Sequence, residues 1–252
     1  MTKNKTIAFT ISDNNNLKYY EMLKNSWAKW HPDIELKLYG EEEIKVSGDP
    51  MFFYRATPRI GRELLKEYDT VIKIDADSII TADLSHTWEG EFNVGVVQNS
   101  NPREMKTYPV GVWDIVPLMY VNCGYVVMKS APFVEHWWAL CNSYHFNNYQ
   151  FKEQDLLNIL VFYGGYAVNF LDHGDKFHGL ASKGYWPSIE LRDKKLVLPK
   201  SEEWPQSGDK EICIIHWAGG YEPGKMNYKT RFKPEVVNYF DSLINEKIKK
   251  NP

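Results

Sequence analysis

Apolar and polar positions follow two periods along this chain, and the changes of period mark its elements. Thr6–Ile11 (TIAFTI) is a short apolar run and predicts a buried strand. From Tyr19 to Trp30 the period lengthens, with Tyr19, Leu23, Trp27 and Trp30 on roughly one face of a helix that Pro32 ends. Ile34–Tyr39 alternates as a second strand. The polar loop Ser12–Asn16 between the first strand and the helix serves equally as a helix cap or as the rim of a binding site. Met51–Tyr68 is helical in character, with Ile60, Leu64 and Leu65 facing inward. Val71-Ile72-Lys73-Ile74 reads as a buried strand running into Asp75-Ala76-Asp77, and a second apolar pair, Ile79-Ile80, follows. Phe92–Gln98, Val121–Lys129 and Glu211–His216 predict further strands. Pro132–Tyr144, a segment starting near Glu153, and Pro234–Lys250 predict helices. Asn99–Tyr120, which contains Pro102, Pro109 and Pro117, has no clear period, and Ser182–Trp204 reads as irregular. Strands alternating with helices predict an α/β protein. No repeat or linker interrupts the pattern, so residues 1–252 are expected to form one domain.

Composition narrows the classes. Hydrophobic residues make up 43% and charged residues 25% of the 252 positions, a globular balance. The net charge of −3 gives no support to a nucleic-acid binder. The 3 cysteines, Cys123, Cys141 and Cys213, have no metal-type spacing and predict free thiols in a reducing, cytoplasmic setting. The apolar run at the N-terminus is too short for a signal peptide, and no run reaches the ~18 residues of a membrane span. Aromatics at 15%, with 9 Trp, suit a large core or a sugar-binding surface.

The chemistry concentrates at Asp75-Ala76-Asp77. Residues i and i+2 of an extended segment point to one side, so the two carboxylates face the same way at a strand end. They repel unless a positive charge lies between them, and an oxygen-bound divalent cation supplies it. His216 ends a strand before Gly219-Gly220 and is placed for ligation, although a strand-end His more often serves structure. Arg59 and Arg62 lie one turn apart on a helix, as solvated charges or as phosphate ligands. Gly124, in the entry Asn122-Cys123-Gly124, allows close backbone approach. Glu153 and Asp155 suit the first turn of a helix, where negative charge is favoured; alternatively, Gln154 and a carboxylate project into a site. His136 and His145 read as helix-face or core residues, and His173 and His178 are candidate ligands by type alone.

In combination, these motifs resemble the glycogenin and lipopolysaccharide-galactosyltransferase type of retaining glycosyltransferase, from Thr6 to about Lys225. The resemblance rests on order: Arg59, then Asp75-Ala76-Asp77, the N-x-G entry at Asn122 and Gly124, the acidic-Gln-x-Leu-Leu-Asn helix start at Glu153–Asn158, and H-x-x-G at His216 and Gly219. One departure stands out. The family usually has Lys-Pro soon after H-x-x-G, whereas this chain has Glu222-Pro223, with Lys225 later.

The resemblance implies a single GT-A domain, a Rossmann-like nucleotide-diphospho-sugar transferase fold with a mixed central sheet flanked by helices. Its nucleotide-binding half would span about 1–100 and its acceptor and metal half about 101–252. It implies hexose transfer from a UDP-sugar to a carbohydrate or glycoconjugate acceptor, with retention. Asp75, Asp77 and His216 would ligate Mn²⁺, with Mg²⁺ the alternative; imidazole beside carboxylates favours Mn²⁺. Thr10, Ile11 and Asp13 would hold base and ribose. Arg59, Asp75, Ala76, Asn122, Gly124, Gly219 and Lys225 would complete the donor site. Glu153, Gln154 and Asp155 would lie near the anomeric carbon, Gln154 and Asp155 as stabilisers and Asp155 also as a candidate nucleophile. Tyr108, Trp113, Tyr185 and Trp186 are candidates for stacking against an acceptor. Neither nucleic acid nor a membrane is an expected partner. The rival readings are a D-x-D phosphohydrolase of haloacid-dehalogenase type, a non-catalytic nucleotide-sugar or glycan-binding protein, and a transferase acting on a macromolecule.

Overall fold

The computed structural model describes residues 5–14, 17–98, 108–110, 113–115, 120–171, 177–178, 188–199, 209, 211–216 and 232–245. The first half contains β1 (Thr6–Ser12), α1 (Leu17–Trp30), β2 (Leu36–Gly40), α2 (Glu41–Ile44), α3 (Phe52–Leu64), β3 (Thr70–Ile74), β4 (Ser78–Ile80) and β5 (Val94–Gln98). Then come β6 (Tyr108–Val110), β7 (Trp113–Ile115), β8 (Val121–Met128), α4 (Ala131–Cys141), α5 (Glu153–Tyr163) and β9 (Val168–Leu171). The last elements are β10 (Phe177–His178), β11 (Glu190–Arg192), β12 (Lys195–Val197), β13 (Ile214–His216) and α6 (Pro234–Asn245). The architecture is α/β, as the alternation of periods predicts.

Six strands form the central sheet in the order β2-β1-β3-β8-β5-β9. β1 pairs parallel with β2 and β3, β8 runs antiparallel between β3 and β5, and β9 pairs parallel with β5. Apolar side chains cover both faces. Ile60, Val71, Phe133, Trp137 and Leu157 belong to one buried cluster; Ala8, Leu23, Trp27, Ile72 and Val127 belong to a second. A third cluster unites α6 with the strands near it through Val236, Phe240, Ile79, Ile215 and Leu196. Among the described residues, no helix is long and apolar enough to cross a membrane. The 3 cysteines are all buried free thiols.

Two segments differ from expectation. The stretch without a period, 99–120, contains the antiparallel pair β6–β7. The irregular stretch 182–204 contains the hairpin β11–β12. Its turn residues Asp193 and Lys194 have φ of 50° and 66°. Such a two-residue turn usually shows Asn-Gly or Asp-Gly, and Asp-Lys lacks that signature. Strands of 3 residues are also too short to show an alternation.

β3 sits near the centre of the sheet, and all of its residues are buried, Lys73 among them at 6% exposure. α1 is fixed at its C-terminal end by His31. That ring packs 4.6 Å from the Trp27 ring and 5.2 Å from the Trp88 ring. His31 Nε2 accepts the Leu84 N–H at 3.2 Å. Burial lowers the His31 pKa, against the attraction of Asp83. The unfolded chain therefore takes up this proton first, near 6.5. The stability His31 contributes is present above that pH and is lost as pH falls. Denaturant unfolding between pH ~7 and ~5 should show a smaller acid loss in His31→Gln than in the native chain; equal slopes would count against this role.

Candidate active site

β3 ends at Ile74, the Asp75 amide donates to the Gly124 carbonyl of β8 at 2.9 Å, and the chain then turns at Ala76-Asp77 instead of staying extended as the sequence pattern suggested. β4 begins directly after Asp77 and pairs antiparallel with β13, with Ser78 opposite His216. This register brings the last residue of β13 beside the two aspartates. His216 Nε2 lies 3.0 Å from Asp75 Oδ2 and 3.2 Å from Asp77 Oδ1. One ligand atom from each of the three residues falls within a 4.8 Å span. The imidazole is buried, while both carboxylates are partly open to solvent. Two carboxylate oxygens and an imidazole nitrogen form a donor set that fits a divalent transition-metal ion.

Gly124 makes room for this arrangement. A Cβ there would meet His216 Cε1 at 2.3 Å, His216 Nδ1 at 2.6 Å and Asn122 Oδ1 at 2.7 Å. The glycine is required because the His216 imidazole occupies the space a side chain at position 124 would fill. The sheet prepares the approach: the β5–β8 register jumps from Val96↔Val126 to Val97↔Asn122, so Cys123–Tyr125 around the glycine have no partner on β5.

Lys73 lies beneath the cluster. Its ammonium donates to Asp75 Oδ1 and, at 2.7 Å, to the Cys123 carbonyl. Burial disfavours the charged lysine, but the attraction of Asp75 and the hydrogen bond to it prevail, and the pKa is raised. For Asp75, burial is likewise outweighed, by Lys73 and His216, and the carboxyl stays well below the usual carboxylate range.

The N-terminus of α5 is attached to the entry of β8 by side-chain amides. Gln154 Oε1 accepts from Asn122 Nδ2 at 3.1 Å and from the Cys123 N–H at 2.9 Å. Asn158 Oδ1 accepts the Val121 N–H at 2.7 Å, and its Nδ2 donates to the carbonyls of Val121 and Gln154. Both Asp155 oxygens are engaged: Oδ1 by the Tyr120 hydroxyl at 2.6 Å, Oδ2 by the Phe151 N–H at 2.8 Å. The Tyr120 hydroxyl also accepts from Gln154 Nε2 at 3.2 Å. Lys152, at the turn into the helix, has φ of 49°, a left-handed conformation unusual for a residue with a Cβ. Glu153 Oε2 is buried with no hydrogen-bond partner among the described residues. Burial pushes this carboxyl up to about 8, against the pull of Lys73.

The remaining expected residues distribute as follows. Thr10 and Ile11 are buried within β1, and Asp13 stands just past its end. Ala76 is buried between the two aspartates. Arg59 is half-buried on α3 and donates from Nη2 to the Ile44 carbonyl at 2.7 Å. Arg62 instead pairs with Glu135 at 2.6 Å on the surface. Gly219, Lys225, His173, Tyr185 and Trp186, and the side chains of Tyr108, Trp113 and His178, lie outside the described residues. Sequence reasoning did not single out Lys73 or Tyr120 and gave Asn158 no role. A lysine in an otherwise apolar run ending in D-x-D was the available signal for the first. Tyr120 closes a stretch with no period and carried none.

Comparison with known proteins gives the fold its class. No protein-family model and no curated protein matches the sequence. Solved structures do match. The galactosyltransferase LgtC in complex with donor and acceptor sugar analogs superposes with a TM-score of 0.62 at 17% identity, covering 95% of this chain and 95% of LgtC. The bifunctional glycosyltransferase WbbM gives 0.65 at 14% identity, covering 98% of this chain and 51% of WbbM. The glycosyltransferase GlyE of Streptococcus pneumoniae TIGR4 gives 0.59 at 13%, covering 96% of this chain and 63% of GlyE. The chain has the GT-A glycosyltransferase fold. A haloacid-dehalogenase layout, with the D-x-D strand opening the sheet, does not hold, since β1 and β2 precede β3.

Two outcomes follow from this geometry. Gly124→Ala displaces the His216 ring and should weaken binding of Mn²⁺, used as a probe, by about 10–100-fold in calorimetric titration; an unchanged affinity would remove His216 from the ligand set. The unfolded chain loses the Glu153 proton near 4.5 and the folded chain near 8, so this group costs stability increasingly as pH rises between them. Glu153→Gln should therefore gain melting temperature over the native chain toward pH 8, with the gap narrowing in acid, and a pH-independent gap would contradict the assignment.

Proposed function

We propose that this chain is a metal-dependent glycosyltransferase that moves a hexose from a UDP-sugar to a carbohydrate or glycoconjugate acceptor, with retention of configuration. One observation carries the reading: in a GT-A fold, Asp75, Asp77 and His216 converge where the central strand β3 ends. In open α/β sheets that edge is where nucleotides bind. A divalent ion held there would stabilise the negative charge that develops on the departing diphosphate. The mixed nitrogen and oxygen donor set favours Mn²⁺ over Mg²⁺.

The residues of the chain supply the rest. Arg59, anchored to α2 through the Ile44 carbonyl, and Lys225 are assigned to the phosphates. Asp13, at the end of β1 with Thr10 and Ile11 behind it, is assigned to base and ribose. Gln154 is held in one orientation by three hydrogen bonds to the β8 entry and Tyr120, and is assigned to the sugar ring near the reacting carbon. An active-site Gln-to-Glu mutant of LgtC has been solved, which suits a glutamine in that role. Asp155 is assigned to positioning, because the Tyr120 hydroxyl and the Phe151 amide already occupy its two oxygens. Glu153 offers a buried carboxyl that can hydrogen-bond a sugar hydroxyl.

The test is thermal stability with UDP, with and without Mn²⁺, followed by turnover of UDP-sugars. A ligand at about 100 times its dissociation constant stabilises the fold by about 2.7 kcal/mol, a clear melting shift. The shift should require both UDP and Mn²⁺ and vanish in Asp77→Ala, and that variant should lose about 10²–10³ in transfer rate. An equal shift in the variant would reject the site. Tight binding of UDP-sugars without turnover would favour the non-catalytic reading instead.

A further inference from the structure

The metal reading above leaves Lys73 without a role, and a buried ammonium in direct contact with a metal-ligand carboxylate needs one. Lys73 stands two residues before Asp75 on the same side of β3. It is only 6% exposed, its ammonium meets Asp75 Oδ1, and the Cys123 carbonyl fixes it from β8 at 2.7 Å. Asp75 Oδ2 is the oxygen left facing His216 Nε2. Burial of such a charge is costly unless a partner compensates it, and Asp75 is that partner.

We infer that Lys73 is a resident cation that sets the charge and denticity of the metal site, so that a divalent ion binds weakly to the protein alone and firmly only together with a diphosphate. Asp75 and Asp77 bring two negative charges and Lys73 cancels one, so the site presents a net charge of −1 instead of −2. With Oδ1 committed to the ammonium, Asp75 contributes a single oxygen. Affinity in carboxylate sites scales with ligand charge count and site rigidity. The remaining attraction must come from the phosphates of the donor. By linkage, the factor by which the diphosphate tightens the metal equals the factor by which the metal tightens the diphosphate. The same ammonium keeps Asp75 and Asp77 in place before any ion arrives, because it relieves part of their mutual repulsion.

This inference rests on the metal reading of Asp75, Asp77 and His216, and its test separates the two. Free Mn²⁺ would be measured by electron paramagnetic resonance during titration of the native chain, Lys73→Met, Lys73→Gln and Asp77→Ala, each with and without UDP, and the Mn²⁺ that UDP binds in protein-free solution would be subtracted. The native chain should bind Mn²⁺ alone weakly, and UDP should tighten it by about ten-fold or more. Both lysine variants, checked for folding by circular dichroism, should bind Mn²⁺ alone about ten-fold tighter than the native chain and gain less from UDP. Lysine variants that bind Mn²⁺ alone no tighter than the native chain overturn the inference. So does a native chain that binds Mn²⁺ equally with and without UDP, a result that stands even if neither variant folds. Asp77→Ala that binds Mn²⁺ with UDP as the native chain does would instead sink the metal reading itself.

Discussion

Two carboxylates of like charge at the end of a buried strand repel each other, and much of this fold serves to keep them there. Asp75 and Asp77 stay together because three separate parts of the chain close around them. Lys73 neutralises one carboxylate from beneath, within β3 itself. Gly124 fixes the backbone of Asp75 to β8. The pairing of β4 with β13 delivers His216 opposite Ser78, and the missing Cβ at Gly124 leaves the ring its space. The compensation is local and mostly buried, so water screens little of it.

The second arrangement depends on the first. The entry of β8 carries Asn122, Cys123 and Gly124, which touch both the aspartate cluster and the α5 N-terminus. Cys123 alone gives its carbonyl to Lys73 and its amide to Gln154. Glu153 lies close enough to feel both Lys73 and Asp75. The two halves of the site are therefore joined through one short backbone segment, and a change in either is expected at the other. Side-chain amides suit this junction. Asn158 hydrogen-bonds the N–H and the C=O of Val121 in β8 and the C=O of Gln154 in α5, tying the two elements together.

Much of this was legible in the sequence. The period-2 and period-3.6 stretches gave the main strands and helices, because a sheet covered on both faces needs continuous apolar strands. The grouping of Asp75, Asp77 and His216 followed from the family resemblance, since a strand-end His by itself more often serves structure. Short elements were not legible: β11–β12 turns through Asp193-Lys194 without a glycine, and strands of three residues show no alternation. Lys73 was read as part of an apolar strand because a pattern reports burial, not the partner that makes burial tolerable. Tyr120 and Asn158 act through contacts between distant segments, which no local period encodes.

The measurement that tests the account most directly is a crystal structure of the chain grown with Mn²⁺ and UDP, with anomalous data collected at the manganese edge. The account predicts an anomalous peak bounded by Asp75, Asp77 and His216, with the diphosphate against it and the uracil toward the end of β1. A peak elsewhere, or a nucleotide bound away from the ends of β1 and β3, would contradict it.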